Sequence, residues 1–190
     1  MNRIRNLAAL VICIALLPSL ADAESNSSRL NKERLEVGRA LIEVTSENLA
    51  SIIPYYADDI EYHDPIVDVN GIGEMTEFLY RLFGNTPDLV TTVEDESAID
   101  GLYTATWTMT GTFRVSPDPA IPGVPYTAKG MSIVKFRDKS TSVYYQRDYY
   151  TEGDIMVAIP GLDSVICGFR GFYLAAVDPN PDFECPPSPE

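Results

Sequence analysis

Histidine and cysteine are nearly missing from this chain: its 190 residues hold one histidine, His63, and three cysteines, Cys13, Cys167 and Cys185. No two of them stand at the short spacing of a zinc site, so no metal is expected. Positive charge is scarce as well, with 14 Lys and Arg against 28 Asp and Glu and a formal charge of -14. So acidic a surface repels nucleic acid and anionic membranes, and its simplest meaning is solubility. There is no glycine-rich phosphate loop. The stretch "GMSIV", Gly130–Val134, lacks the second glycine of a nucleophile elbow. No internal repeat is present, and no cofactor is expected.

The apolar run at the start, Leu7–Leu17, ends before Pro18 and falls well short of the roughly 20 residues that cross a bilayer. A membrane anchor is therefore disfavoured against a secretory signal peptide over residues 1–23. Arg3 and Arg5 precede the run, and Ala21-Asp22-Ala23 supplies an A-x-A cleavage site. A lipid anchor on Cys13 is not expected, because Leu10-Val11-Ile12 offers no small residue ahead of it. The protein is thus read as secreted or periplasmic, with no membrane span after cleavage. Arg3, Arg5 and Asp22 sum to +1, so the remaining chain carries -15.

Residues 24–160 are expected to form one domain and residues 161–190 a C-terminal extension with a proline-rich tail, "DPNPDFECPPSPE". In an oxidising compartment the pair Cys167 and Cys185 suggests a disulfide closing this tail onto the preceding segment. Such a closure is worth about 3 kcal/mol in the chain-entropy account. Two unrelated thiols are the alternative.

Apolar spacing predicts an amphipathic helix over Leu30–Thr45 and a second helix capped by Ser46, burying Leu49, Ile52, Ile53 and Tyr56 until Pro54 kinks or shortens it. A short strand over Ile60–Asp64 stops at Pro65. Gly71 opens a third helix with the stripe Ile72, Met75, Phe78, Leu79, Leu82 and Phe83, ended by Gly84-Asn85. From Leu89 the period becomes two. In "LYTATWTMTGTFRV", Leu102–Val115, Tyr103, Ala105, Trp107, Met109 and Phe113 share one face while the threonines take the other. Tyr126–Phe136 and Thr141–Tyr150 are the following strands, with a helical turn near Ile155–Ile159. Helices followed by a long-stranded sheet point to an α+β fold, one curved antiparallel sheet wrapped around N-terminal helices.

This order, together with "YYADDIEYHDPIVDVNGIGEMTEFLYRLF" and "YYQRDYYTEGD", resembles the SnoaL-like branch of the nuclear transport factor 2-like (NTF2-like) superfamily over about Leu30–Ile159. The resemblance implies a cone-shaped, cystatin-like fold. Polyketide cyclases, ketosteroid isomerase and limonene epoxide hydrolase belong to that superfamily. In the isomerase the general base closes an F-A-D-D…D-P segment, which Tyr56-Ala57-Asp58-Asp59…Asp64-Pro65 repeats, so the resemblance makes Asp64 the base. The isomerase's oxyanion donors fall near Ala40 and Val134, and neither is a donor. In the hydrolase a tyrosine and an asparagine occupy the places of Tyr62 and Asp64, and the catalytic aspartate lies in an R-D-Y segment matching Arg147-Asp148-Tyr149. Its R-x-D pair falls near Thr108 and Thr110, leaving the departing oxygen without that acid.

Both comparisons imply a pair of carboxylates, Asp64 and Asp148, with Tyr62 nearby. Strand alternation groups Tyr144, Gln146, Asp148 and Tyr150 on one face. If that face lines the cone, Asp148 is a partly desolvated acid suited to proton transfer. Trp107, Met109, Phe113, Phe78 and Leu82 are then the apolar wall around a small hydrophobic ligand, polyketide, steroid or terpenoid-like. The alternative is that Asp148 makes a buried structural contact and meets no ligand. His63 is expected to point away from the cavity. Many relatives dimerise through the outer sheet face, so a homodimer is an open expectation.

Overall fold

The computed structural model describes residues 17–114, 123–156, 159, 161–162 and 164–170. Helix α1 spans Leu17–Ile42, starting earlier than its apolar stripe and ending three residues sooner than expected. Its inward positions follow the helical period: Arg34, Val37, Leu41 and Ile42 are buried. Gly38 is part of that seam. A Cβ there would lie 2.5 Å from the ring of Tyr103, so the absent side chain is what lets the helix rest on the sheet.

After α1, the Asn48 side chain accepts from the Thr45 backbone N–H (2.8 Å). Helix α2, Leu49–Ile52, therefore begins behind Asn48 and not behind Ser46, which lies within this turn. Pro54 removes a donor from the next turn, and the chain tightens into a 3-10 turn over Ile53–Tyr55. Strand β1 is Tyr56–His63, four residues longer at its start than expected, and a hairpin partner that the sequence pattern did not reveal, β2, is Asp68–Asn70. Gly71, at φ 84°, supplies the left-handed residue that starts α3, Ile72–Asn85. Met75, Leu79 and Phe83 are its buried stripe.

The remaining strands are β3 (Val90–Ile99), β4 (Leu102–Phe113), β5 (Val124–Phe136) and β6 (Val143–Tyr150). Asp100-Gly101, both at positive φ, make the tight β3–β4 turn. Six strands form one sheet in the order β2-β1-β6-β5-β4-β3. Every pairing is antiparallel except β1 with β6, which is parallel, so the sheet is mixed. Bulges at Glu94 in β3 and Tyr144 in β6 increase the local twist and help bend the sheet. Helix α1 packs on β3, β4 and β5, and α3 on β1 and β2, which makes the α+β cone. Two short helices follow β6: α4, Glu152–Met156, and α5, residues 164–170. Among the described residues no helix is long and apolar enough to cross a membrane.

Candidate functional site

Strand β6 is the source of the site, because its alternation delivers Gln146, Asp148 and Tyr150 to the concave face. Tyr144, expected with them, is not there. The Tyr144 bulge sets Lys135 opposite Tyr145 but Phe136 opposite Val143, so the alternation slips by one. Val143 is fully buried, and Tyr144 instead packs against the Arg137 guanidinium, 4.9 Å from its ring centroid. Register supplies the neighbours. Ser132 of β5 stands directly opposite Asp148, and Tyr62 of β1 beside Gln146.

These four side chains, with Tyr56 and Trp107, form one hydrogen-bond network. Ser132 Oγ donates to Asp148 Oδ1 at 2.6 Å and Tyr62 to Asp148 Oδ2 at 2.9 Å. Gln146 Nε2 lies 3.2 and 3.4 Å from the two carboxylate oxygens. Each donor is itself held. Trp107 Nε1 donates to Ser132 Oγ (2.8 Å), so the serine's one proton is directed at Asp148. Tyr56 donates to Gln146 Oε1 (3.0 Å), which turns the amide nitrogen toward the carboxylate. Gly130 makes the indole's position possible: a Cβ there would sit 2.4 Å from Trp107 Cη2 and 2.5 Å from the Tyr149 carbonyl.

Asp64 follows β1 in the turn to β2. Its Oδ1 accepts the backbone N–H groups of Ile66 (2.7 Å) and Val67 (2.6 Å). That local bond aims Oδ2 at the hydroxyls of Tyr62 and Tyr150, each 3.3 Å away. The structure thus brings Asp64, Tyr62 and Asp148 together. Tyr62 has one proton for two carboxylates, and the shorter contact assigns it to Asp148.

Burial decides the electrostatics. Desolvation pushes the Asp148 carboxyl above the ordinary carboxylate value and Asp64 adds to the rise, while the bonds from Ser132, Gln146 and Tyr62 pull the other way and lose. Desolvation also raises the Tyr62, Tyr56 and Tyr150 phenols, with the nearby carboxylates adding to it, so these hydroxyls keep their protons. No ion pair with a guanidinium engages Asp148 among the described residues; instead it borders a cavity of about 460 Å³.

That cavity is walled by the residues read from the sequence. Phe78, Leu82, Trp107, Met109 and Tyr150 all line it, and the Tyr62 ring packs on Phe78 at 5.2 Å between centroids. The side chain of Phe113 lies outside the described residues, as does Cys185. His63 faces away, with Nδ1 2.5 Å from Asp68 Oδ1 and its ring near Tyr145. Thr108 and Thr110 also lie on the outer side of β4, whose cavity-facing residues are Trp107 and Met109, both uncharged. Val134 is fully buried, so it offers the cavity no donor.

Sequence reasoning missed Ser132, Tyr56, Glu152 and the α4 residues Ile155 and Met156, all of which line the cavity. One signal for Ser132 was available: it is the lone aliphatic hydroxyl on the inward face Tyr126, Ala128, Gly130, Ser132, Val134, Phe136.

Three solved structures show how widely this architecture recurs. A phenazine biosynthesis-related protein from Pseudomonas aeruginosa superposes with a TM-score of 0.61 at 10% identity, covering 70% of this chain and 89% of that one. A SnoaL-like polyketide cyclase from Jannaschia gives 0.56 at 16% identity, covering 68% and 93%. An epoxide hydrolase of the limonene epoxide hydrolase type from M. tuberculosis gives 0.55 at 14% identity, covering 78% and 98%. No curated protein matches in sequence. Residues 38–142, more than half of the chain, match the SnoaL-like domain family. On that match the chain belongs to the SnoaL-like domain family.

Proposed function

We propose that this is an exported SnoaL-like protein that binds a small hydrophobic molecule of polyketide, steroid or terpenoid type. On that molecule it performs cofactor-free acid/base chemistry: cyclisation, isomerisation or hydration. One observation carries the reading: a carboxyl with a raised pKa, Asp148, borders an apolar cavity inside a shell of oriented donors. In this reading Asp148 is the base that takes a proton from the ligand. The proton can pass through the Tyr62 hydroxyl to Asp64, 3.3 Å beyond, and return to a second ligand atom. Export after loss of residues 1–23 rests on the leader pattern, and the domain limits 24–160 and 161–190 go with it. A Cys167–Cys185 bridge is part of the same proposal, supported by the burial of Cys167. So is a homodimer through the outer sheet face, which exposes Val90, Ile99, Leu102, Met131 and Tyr149.

The test is turnover of polyketide, steroid and terpenoid panels by the exported protein, with Asp148→Asn beside it. Unchanged turnover in the variant refutes the catalytic assignment. A second reading, a ligand carrier without turnover, is favoured by Ala40 and Val134 where the isomerase has its donors, and by Thr108 and Thr110 where the hydrolase has its R-x-D pair. Native mass spectrometry that recovers a co-purified ligand chemically unaltered supports that reading.

A further inference from the structure

Hydrogen-bond accounting at the carboxylate end of the cavity narrows the ligand class, resting on the reading that the cavity holds a small hydrophobic molecule. Tyr56, Tyr62, Tyr150, Ser132 and Trp107 each have one polar proton. All five are consumed inside the network, by Gln146 Oε1, Asp148 Oδ2, Asp64 Oδ2, Asp148 Oδ1 and Ser132 Oγ respectively. Thr86, also in the lining, donates to the Leu82 carbonyl at 2.6 Å. The remaining phenol, Tyr126, has its hydroxyl beside Gly111 of β4, two strands away from β6. Gln146 Nε2 turns to the Asp148 oxygens at 3.2 and 3.4 Å, which leaves one amide proton at most, so what this end mainly offers a guest is acceptors: the carboxylates of Asp64, Asp148 and Glu152.

Among the described residues no cation offsets them. None of the lining residues is Lys, Arg or His. The arginines nearest in sequence to Asp148 and Glu152 turn elsewhere: Arg147 lies over the Tyr149 ring at 5.1 Å on the outer face, Arg137 pairs with Asp59, and Arg170 pairs with Asp154 at 2.5 Å. Aromatic faces flank the acids, with Trp107 and Tyr150 centroids 6.2 Å apart. The chain's charge of -14 draws cations toward it from a distance.

We infer that the ligand enters with a hydrogen-bond-donating head group, a protonated amine best and a hydroxyl next, and that carboxylates and acceptor-only carbonyls are rejected. Asp64 and Asp148 already accept from the network, so a bare carbonyl would meet them oxygen against oxygen with no donor left for it, whereas an ammonium adds a charged donor to the acids and meets the ring faces as well.

Four probes on one hydrophobic cage test this: adamantylmethylamine, adamantylmethanol, adamantanone and adamantanecarboxylate. Each is titrated at pH 7 by calorimetry and by the fluorescence of Trp107, the only tryptophan in the chain and part of the cavity wall. The alcohol is expected to bind about tenfold tighter than the ketone and the amine about tenfold tighter again. The carboxylate should not bind. Because alcohol and ketone are both neutral, their difference isolates donation from the protein's overall charge. Glu152→Gln removes the charge but keeps an acceptor oxygen, so it should weaken the amine several-fold and the alcohol by less than about twofold. Ketone or carboxylate binding as tight as the alcohol overturns the inference but leaves the hydrophobic cavity standing. Failure of all four to bind overturns the small-ligand reading itself.

Discussion

Ser132→Ala removes the shortest bond to Asp148, 2.6 Å, without touching the carboxylate itself. A hydrogen bond to a charged group is worth about 1.5–3 kcal/mol, and one pKa unit corresponds to about 1.36 kcal/mol. The Asp148 midpoint, already raised by burial, should therefore climb by about 1–2 further units. The change also appears in stability. A carboxyl whose folded midpoint lies above its unfolded one contributes stability that is complete below the ordinary value of 3.8 and is lost as pH rises through the folded midpoint. The variant's deficit should thus be largest at neutral pH, about 1.5–3 kcal/mol. Below the unfolded value it shrinks to the residual cost of the lost hydroxyl. Carbon-13 NMR of labelled aspartate side chains reads the midpoint, and urea unfolding across pH reads the linkage. A midpoint that stays put or falls in Ser132→Ala refutes the account of Asp148 as a desolvated acid held in check by donors.

Further outcomes follow from the packing. Gly130→Ala places a methyl 2.4 Å from Trp107 and 2.5 Å from a backbone carbonyl, so it should cost about 1–3 kcal/mol in denaturant unfolding and change the Trp107 emission; an unshifted midpoint contradicts the close approach. Arg170→Ala breaks the tie between α5 and Asp154 of α4. Because both side chains are about a third exposed, global stability should move by less than about 1 kcal/mol while amide exchange over residues 152–156 accelerates; equal exchange rates argue against the tie. Arg34→Met removes a buried guanidinium that donates to the carbonyls of Ser140 (2.9 Å) and Arg137 (2.8 Å). It should cost about 1–3 kcal/mol, read as a lower unfolding midpoint, and no loss would show these carbonyls find water instead. Alkylation followed by mass measurement tests the bridge: two reactive thiols before reduction would end it.

Legibility differed between element and site. The threonine alternation of β4 and the stripe Met75, Leu79, Phe83 of α3 were visible in the chain because each is a local period imposed by burial on one face. The same reasoning placed Gln146, Asp148 and Tyr150 on a shared face but misassigned Tyr144, since a bulge is set by the partner strand and not by the strand's own pattern. Asp64 was legible as a candidate through its motif, whereas its direction depends on the turn bonds to Ile66 and Val67.

From its residues alone this chain determined that it would form one curved sheet over helices, with an aromatic interior and an acidic strand entering it. Period and composition are properties of neighbours along the chain, so folding is not needed to see them. Only the tertiary structure decided that Ser132 meets Asp148, that Trp107 crosses Gly130 to hold Ser132, and that Tyr62 bridges two carboxylates. Apart from the local Tyr62–Asp64 contact, these join residues on different strands, and their partners are chosen by register and bulges that exist only once the sheet is assembled.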